Sequence, residues 1–310
     1  MFEYTHKNHF KFGYNDLNEY QPRLLDTDQF TFQYGRLSNQ HLTWRQANEL
    51  AARQIYERKV GDIYVLLSGG MDSEICLKSF YDQQLPVKTI SLKFTDLDQS
   101  DELFYINKAI ARYGISNHHF VEVDVQKAVR SVDFKNLAYS IKCVSPIIVL
   151  HLWLANQIKG TPIIAQGEVH LKKSIPANYI PGESPYEPST WYLTESERLC
   201  SIYMNFILQN KPAIPGFFQY NPEQIYSYLT KNNILQNLIE NKVHGKLGTR
   251  SSKNLMAHQF YPEIEMREKR HGWESIQEFH DQLRSEMATW FPNSDQSCEK
   301  SYDAIIKMLE

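Results

Sequence analysis

Apolar and polar residues alternate along Phe30-Thr31-Phe32-Gln33-Tyr34, the period of a half-buried strand. The rest of residues 1–42 is polar and aromatic with weak periodicity and reads as an arm or small β segment. The period then changes. Thr43 and Gln46 form a capping-box pair, and Trp44, Ala47, Ala51 and Ile55 recur on one helical face up to Gly61. Asp62 to Leu67 is a short apolar strand, residues 69–70 a glycine turn, residues 72–83 a helix and Val87 to Lys93 a second strand. Ser100 reads as the cap of a helix buried through Leu103, Ile106, Ile110 and Tyr113 and ended by Gly114. His119 to Val123 is a third strand. Ser145-Pro146 opens another helix, which Gly160 closes before a fourth strand at Thr161 to Ala165. Strands alternating with helices at this spacing predict an α/β fold with a doubly wound parallel sheet over residues 43–173.

Beyond residue 173 the rhythm is lost. Residues 174–190 hold four prolines and read as an extended loop. Helical patterning around 193–209, 222–240 and 273–290 predicts a helical C-terminal lobe over 174–310, set to act as acceptor site or lid.

Composition narrows the function. The 310 residues carry 33 Lys and Arg against 36 Asp and Glu, a net charge of −3, so coating nucleic acid by bulk electrostatics is not expected. No apolar run approaches the roughly 18–20 residues of a membrane span, so no membrane partner is expected. The four cysteines stand apart with no Cys-x-x-Cys pair, and the first residues lack the apolar core of a signal peptide. A reducing cytoplasm is the expected compartment.

The sharpest chemical signal is Ser68-Gly69-Gly70-Met71-Asp72-Ser73, set between an apolar strand and a helix. Adjacent glycines let successive N–H groups point into one concavity, an anion nest to which the helix N-terminus adds its positive end. The Ser68 and Ser73 hydroxyls add donors, and the site suits a pyrophosphate. Asp72 would repel a bare phosphate, and a bound Mg²⁺ removes that conflict.

This hexapeptide resembles the SGGxDS PP-loop of the N-type ATP pyrophosphatases and lacks the spacing of a Walker A loop. The resemblance implies an adenine nucleotide alpha hydrolase-like fold, ATP cleaved between its α and β phosphates, and an adenylated substrate oxygen. Within that superfamily the chain is most similar to the synthetase domain of asparagine synthetases. Asp101-Glu102, Gly114-Ile115 and His118-His119 resemble that family's DE…LG…HH segment, and Gln166-Gly167-Glu168 its SGEGADE turn. Arg267-Glu268-Lys269 resembles a late basic segment that holds ATP phosphates. By the same resemblance, adenine pairs with main chain near Ser91 and Leu92, and Lys269 reaches the β-phosphate.

Two departures qualify it. Phe2 stands where those synthetases carry a nucleophilic cysteine, so a separate ammonia or amine donor is expected. The family's second metal-binding aspartate is replaced in Gly167-Glu168-Val169-His170, leaving Asp72 as the metal candidate. Glu168 is a candidate proton acceptor for an incoming amine. The basic stretch 242–253, with Arg250 and Lys253, could close over phosphates or meet an RNA backbone. The expected activity is therefore an ATP- and Mg²⁺-dependent ligase or amidotransferase acting on a small carboxylate or carbonyl acceptor. A nucleoside- or tRNA-modifying enzyme and a non-catalytic nucleotide-binding module stand as alternatives.

Overall fold

A computed structural model describes residues 9–16, 23–167, 169–173, 191–240, 253–267, 273–291 and 296–310. The alternating segment folds as expected: β1 (Lys11–Tyr14) and β2 (Phe30–Gln33) form an antiparallel pair. Their inward rings join Phe10 and Tyr34 in an aromatic cluster against Tyr203. The Leu37 N–H donates to the Leu309 carbonyl at 2.8 Å, which ties the N-terminal segment to the end of the chain.

The capping box opens α1 (Trp44–Arg58), with Thr43 Oγ1 accepting from the Gln46 N–H and Gln46 Oε1 accepting from the Thr43 N–H at 2.9 Å. Then come β3 (Ile63–Leu66), α2 (Met71–Asp82), β4 (Lys88–Phe94), α3 (Ser100–Arg112) and β5 (His118–Val123). They are followed by α4 (Val125–Ala128), α5 (Val132–Ile141), α6 (Pro146–Gln157) and β6 (Thr161–Ile163). The four strands β3 to β6 make one parallel sheet in the order β5-β4-β3-β6. Strand pleating sends Ile63, Val65 and Ile163 into a core shared with α1, α2 and α3, and Leu66, Ile90, Leu92 and Phe94 into a second core shared with α5 and α6. The sheet is therefore covered on both faces, the doubly wound arrangement.

Ser100 does not cap α3. Gln99 occupies the cap position, and the Ser100 N–H donates to Asp98 Oδ1 at 3.0 Å. The Gln99 side chain serves the sheet instead.

The C-terminal lobe is not purely helical. Residues 191–196, expected to lead into a helix, form β8 (Trp191–Ser196) between β7 (Leu171–Lys173) and β9 (Ser297–Ser301) in an antiparallel sheet. Trp191, Leu193 and Glu195 are its buried face. The helices are α7 (Glu197–Leu208), α8 (Pro222–Lys231), α9 (Asn233–Glu240), α10 (Lys253–His258), α11 (Gln277–Trp290) and α12 (Tyr302–Leu309). The helix expected over 222–240 breaks at Asn232, whose Oδ1 accepts the Leu235 N–H at 3.1 Å. Among the described residues, no single helix is long and apolar enough to cross a membrane.

Residues 214–218 lie beside β6 and hold its carboxyl end. The Ile164 N–H donates to the Ile214 carbonyl at 2.9 Å, and the Phe217 and Phe218 N–H groups donate to the Ile164 and Gln166 carbonyls, each at 3.0 Å.

Candidate active site

Strand order reverses at β3, with β4 on one side and β6 on the other, and the crevice beyond the strands' carboxyl ends is where an open α/β sheet binds ligands. A cleft of about 1020 Å³, open mouth included, lies there. Its polar wall is Ser68, Ser73, Ser91, Gln99, Glu102 and Gln166. Apolar side chains of β3, β4 and α6, with Leu67, Ile164, Ala165 and the His151 ring, line the remainder.

The glycine turn forms one end of the cleft. Gly69 adopts φ +77°, and a Cβ on it would lie 2.6 Å from the Glu102 carbonyl oxygen at the start of α3. Only glycine allows both that conformation and that approach. Gly70 is the cap residue of α2. Ser73 Oγ donates to the Gly70 carbonyl at 2.9 Å, accepts the Ser68 N–H at 3.2 Å and lies 3.2 Å from Ser68 Oγ. The Gly70 N–H donates to Ser68 Oγ at 3.3 Å. The two hydroxyls, the Ser68 and Gly70 N–H groups and the N-terminus of α2 are thus gathered at one end of the cleft, where Ser68 and Ser73 face it.

Asp72 stands half-buried in the first turn of α2, outside the cleft lining. Among the described residues no three His, Cys, Asp or Glu side chains group to hold a metal ion. A magnesium ion that keeps its waters and takes one carboxylate plus substrate phosphates needs no such group, so the donors present fit an ion carried in with the nucleotide.

At the far side of the turn, Ser91 and Leu92 line the cleft. Ser91 Oγ donates to the Leu67 carbonyl, joining β4 to the start of the turn. Gln99 was missed from sequence. Its Nε2 donates to the Leu92 carbonyl at 3.3 Å and its Oε1 accepts the Phe94 N–H at 3.0 Å, so its amide continues the hydrogen bonding of β4 past the end of β3. His151 of α6, also missed, lines the apolar wall, and burial pushes its pKa down to about 4. It is neutral at pH 7 and adds no charge to the cleft.

The sequence between β6 and β7 carries the third expected element. Gly167 adopts φ +96° and packs on Gln219, whose Cγ would lie 2.7 Å from a Cβ there. Gln219 cannot easily yield. It accepts from Tyr203 OH at 2.8 Å and donates to Glu195 Oε1 at 2.7 Å, and Tyr34 OH donates to the same carboxyl at 2.7 Å. Burial pushes the Glu195 carboxyl up to about 7 against these hydrogen bonds.

Four expected residues lie beyond this geometry. Glu168, Arg250 and Lys269 are outside the described residues, as is the basic stretch up to residue 252. Lys253 is the first residue of α10, and its backbone alone is described. Among the described residues of the late basic segment, Arg267 meets the turn: its Nη1 donates to the Gly69 carbonyl at 2.6 Å, its Nη2 pairs with Glu74, and its guanidinium lies 4.2 Å from the Tyr105 ring centre. Tyr261 and Trp273 are fully buried packing rings, and the Cys143 and Cys200 thiols are buried as well.

Residues 49–167 match the family model described as asparagine synthase. No curated protein matches the chain. Among solved structures, a glutamine-dependent NAD+ synthetase from Acinetobacter baumannii in complex with ADP matches at 16% identity and a TM-score of 0.30. That match covers 46% of this chain and 31% of the synthetase, so the chain spans under a third of that relative's length. The family match takes in β3, the glycine turn, β4, α6 and the residues that follow β6, which line the cleft, so the part of the chain that resembles asparagine synthase is the part that builds the candidate site.

Proposed function

We propose that this chain is an ATP-dependent ligase that adenylates a carboxylate or carbonyl oxygen of a small acceptor, releases pyrophosphate, and passes the activated group to ammonia or an amine. The observation that carries the reading is the Ser68–Ser73 turn: two hydroxyls, the Gly70 N–H and the α2 N-terminus meet at the carboxyl end of β3, inside the matched region.

The chain's residues divide the work by position. The turn binds the β and γ phosphates and stabilises charge as the α–β bond breaks. Adenosine lies along Ser91 and Leu92 on the apolar floor, whose main chain Gln99 holds in line. Mg²⁺ held by Asp72 and the phosphates would neutralise part of the charge on the leaving pyrophosphate. Lys269 would add a cation at the β-phosphate. The acceptor enters beside Gln166, on the side braced by Gln219, and Glu168, next in sequence to Gly167, takes the proton of the attacking amine. Most of the rate then comes from positioning and fixed dipoles.

Product analysis tests this. Incubated with ATP, Mg²⁺, ammonium and a panel of small carboxylates, the protein should form AMP and pyrophosphate in equal amounts, and one acceptor should drive pyrophosphate–ATP exchange. ADP and orthophosphate as products would overturn the reading.

A further inference from the structure

The bend at Gly69-Gly70 has a weakness built into it. The peptide joining two glycines can rotate end over end, because the dihedrals that change, ψ of Gly69 and φ of Gly70, are both glycine dihedrals. In a trans peptide the carbonyl and the following N–H point in opposite directions. In the orientation observed, the Gly70 N–H points to Ser68 Oγ, among the cleft-lining hydroxyls, and the Gly69 carbonyl points away to Arg267. Reversed, the peptide would put a carbonyl oxygen where phosphate oxygens have to sit.

We infer that Arg267 is the positioning residue that fixes this peptide, holding the Gly69 carbonyl out of the cradle so that the Gly70 N–H stays in it. The assignment rests on the pyrophosphate-binding reading of the turn. Its geometry is specific. The Arg267 side chain is 5% exposed, and one fork of its guanidinium donates to the carbonyl while the other pairs with the equally buried Glu74. Glu74 is itself held by Arg112 at 2.9 Å and Tyr113 OH at 3.1 Å, both at the end of α3. The backbone of 263–267 is held at further points: Glu263 pairs with Lys78 at 3.0 Å and Arg45 at 2.9 Å, its carbonyl accepts from Arg112 at 3.3 Å, and Asn254 donates to the Arg267 carbonyl.

Charge alone does not describe this role. Glu74 balances the Arg267 cation at contact distance, so the pair offers an approaching anion little net attraction. What Arg267 supplies that Glu74 cannot cancel is a directed, charge-assisted hydrogen bond to one carbonyl. Lysine, a point donor without the planar fork, can reproduce the bond to Gly69 or the pair with Glu74 but not both in this geometry.

The test uses the full-length protein with Mg²⁺ and inorganic pyrophosphate as probe, read by calorimetry beside thermal melting. Arg267→Met should weaken pyrophosphate binding at least tenfold. Arg112→Met, which removes a partner of the same Glu74 without touching the turn, should lower the melting temperature yet leave pyrophosphate affinity within twofold of wild type. Arg267→Lys should recover part of the loss. If Arg267→Met does not fold, Arg267→Lys decides: a threefold or greater loss supports the assignment, and unchanged affinity overturns it. Equal affinity in wild type and Arg267→Met, or equal losses in Arg267→Met and Arg112→Met, overturns it while leaving the proposed function standing. If wild type binds neither pyrophosphate nor ATP, the nucleotide reading itself falls and this assignment with it.

Discussion

Gln99 Oε1 accepts the Phe94 N–H at 3.0 Å, so a side chain at the start of α3 completes the backbone bonding of the last residue of β4. With Nε2 on the Leu92 carbonyl, both ends of one amide are spent on the strand that floors the cleft. Gln99→Leu removes donor and acceptor together and leaves two buried main-chain groups without this partner. It should cost about 1–3 kcal/mol in urea unfolding and weaken adenine-nucleotide binding more than pyrophosphate binding. An unchanged ratio of the two affinities would show that Gln99 does not order the adenine side.

The two glycines of the turn should respond differently to alanine. At Gly69 the positive φ and the 2.6 Å approach to the Glu102 carbonyl act together, against backbone that cannot move aside. Gly69→Ala should destabilise by about 1–3 kcal/mol or more. Gly70 has φ −73°, and its nearest obstacle is Ser68 Oγ at 3.3 Å. Gly70→Ala should cost less than about 1 kcal/mol. Chemical denaturation of both variants checks the order.

Glu195 makes stability depend on pH in a defined sense. Its carboxyl titrates near 7 when folded, against an ordinary value of 4.5, so between those values the folded chain holds a proton that the unfolded chain has released. Stability from this group therefore falls as pH rises from about 4.5 to 7 and is level above that, a loss on the order of 3 kcal/mol. His118 and His151, both pushed down to about 4 by burial, act in the opposite sense below their ordinary 6.5. The difference between wild type and Glu195→Gln isolates the carboxyl: the variant's relative stability should climb from pH 4.5 to 7 and then stay constant. A pH-independent difference would rule out the raised carboxyl.

Asp72→Asn keeps the shape of the α2 first turn and removes its half-buried carboxylate. AMP formation should fall at least about 100-fold, with only partial recovery at high Mg²⁺, because several kcal/mol of charge neutralisation is lost. The melting temperature should stay near that of wild type. Activity that survives the change would put the metal on other ligands.

The parts of the site that were legible in sequence are those built from neighbouring residues. Ser68 to Ser73 carries its conformation in its own glycines, and Thr43 with Gln46 signals its helix start within four positions. What was misread depends on distant partners. Trp191 to Ser196 alternates in burial as a strand should, but its buried Glu195 breaks the apolar pattern, and the bonds that pair it come from residues 171–173 and 297–301. Gln99 looks like any polar residue before a helix, and only the end of β4 beside it reveals its use. The late basic segment was visible as a cluster of cations. That Arg267 bonds the turn was not, because that depends on how the segment crosses α2 and α3.

The bond between Arg267 and Gly69 spans 198 positions of chain. The strands and helices from residue 63 to 123 can find one another through short loops, whereas this contact must await closure of a very long one, with its larger entropy cost. The phosphate cradle can thus take its bend early in folding but has its central peptide secured only when the segment around residue 267 docks, so a chain cut short before that residue would keep the motif and lose its fixed orientation.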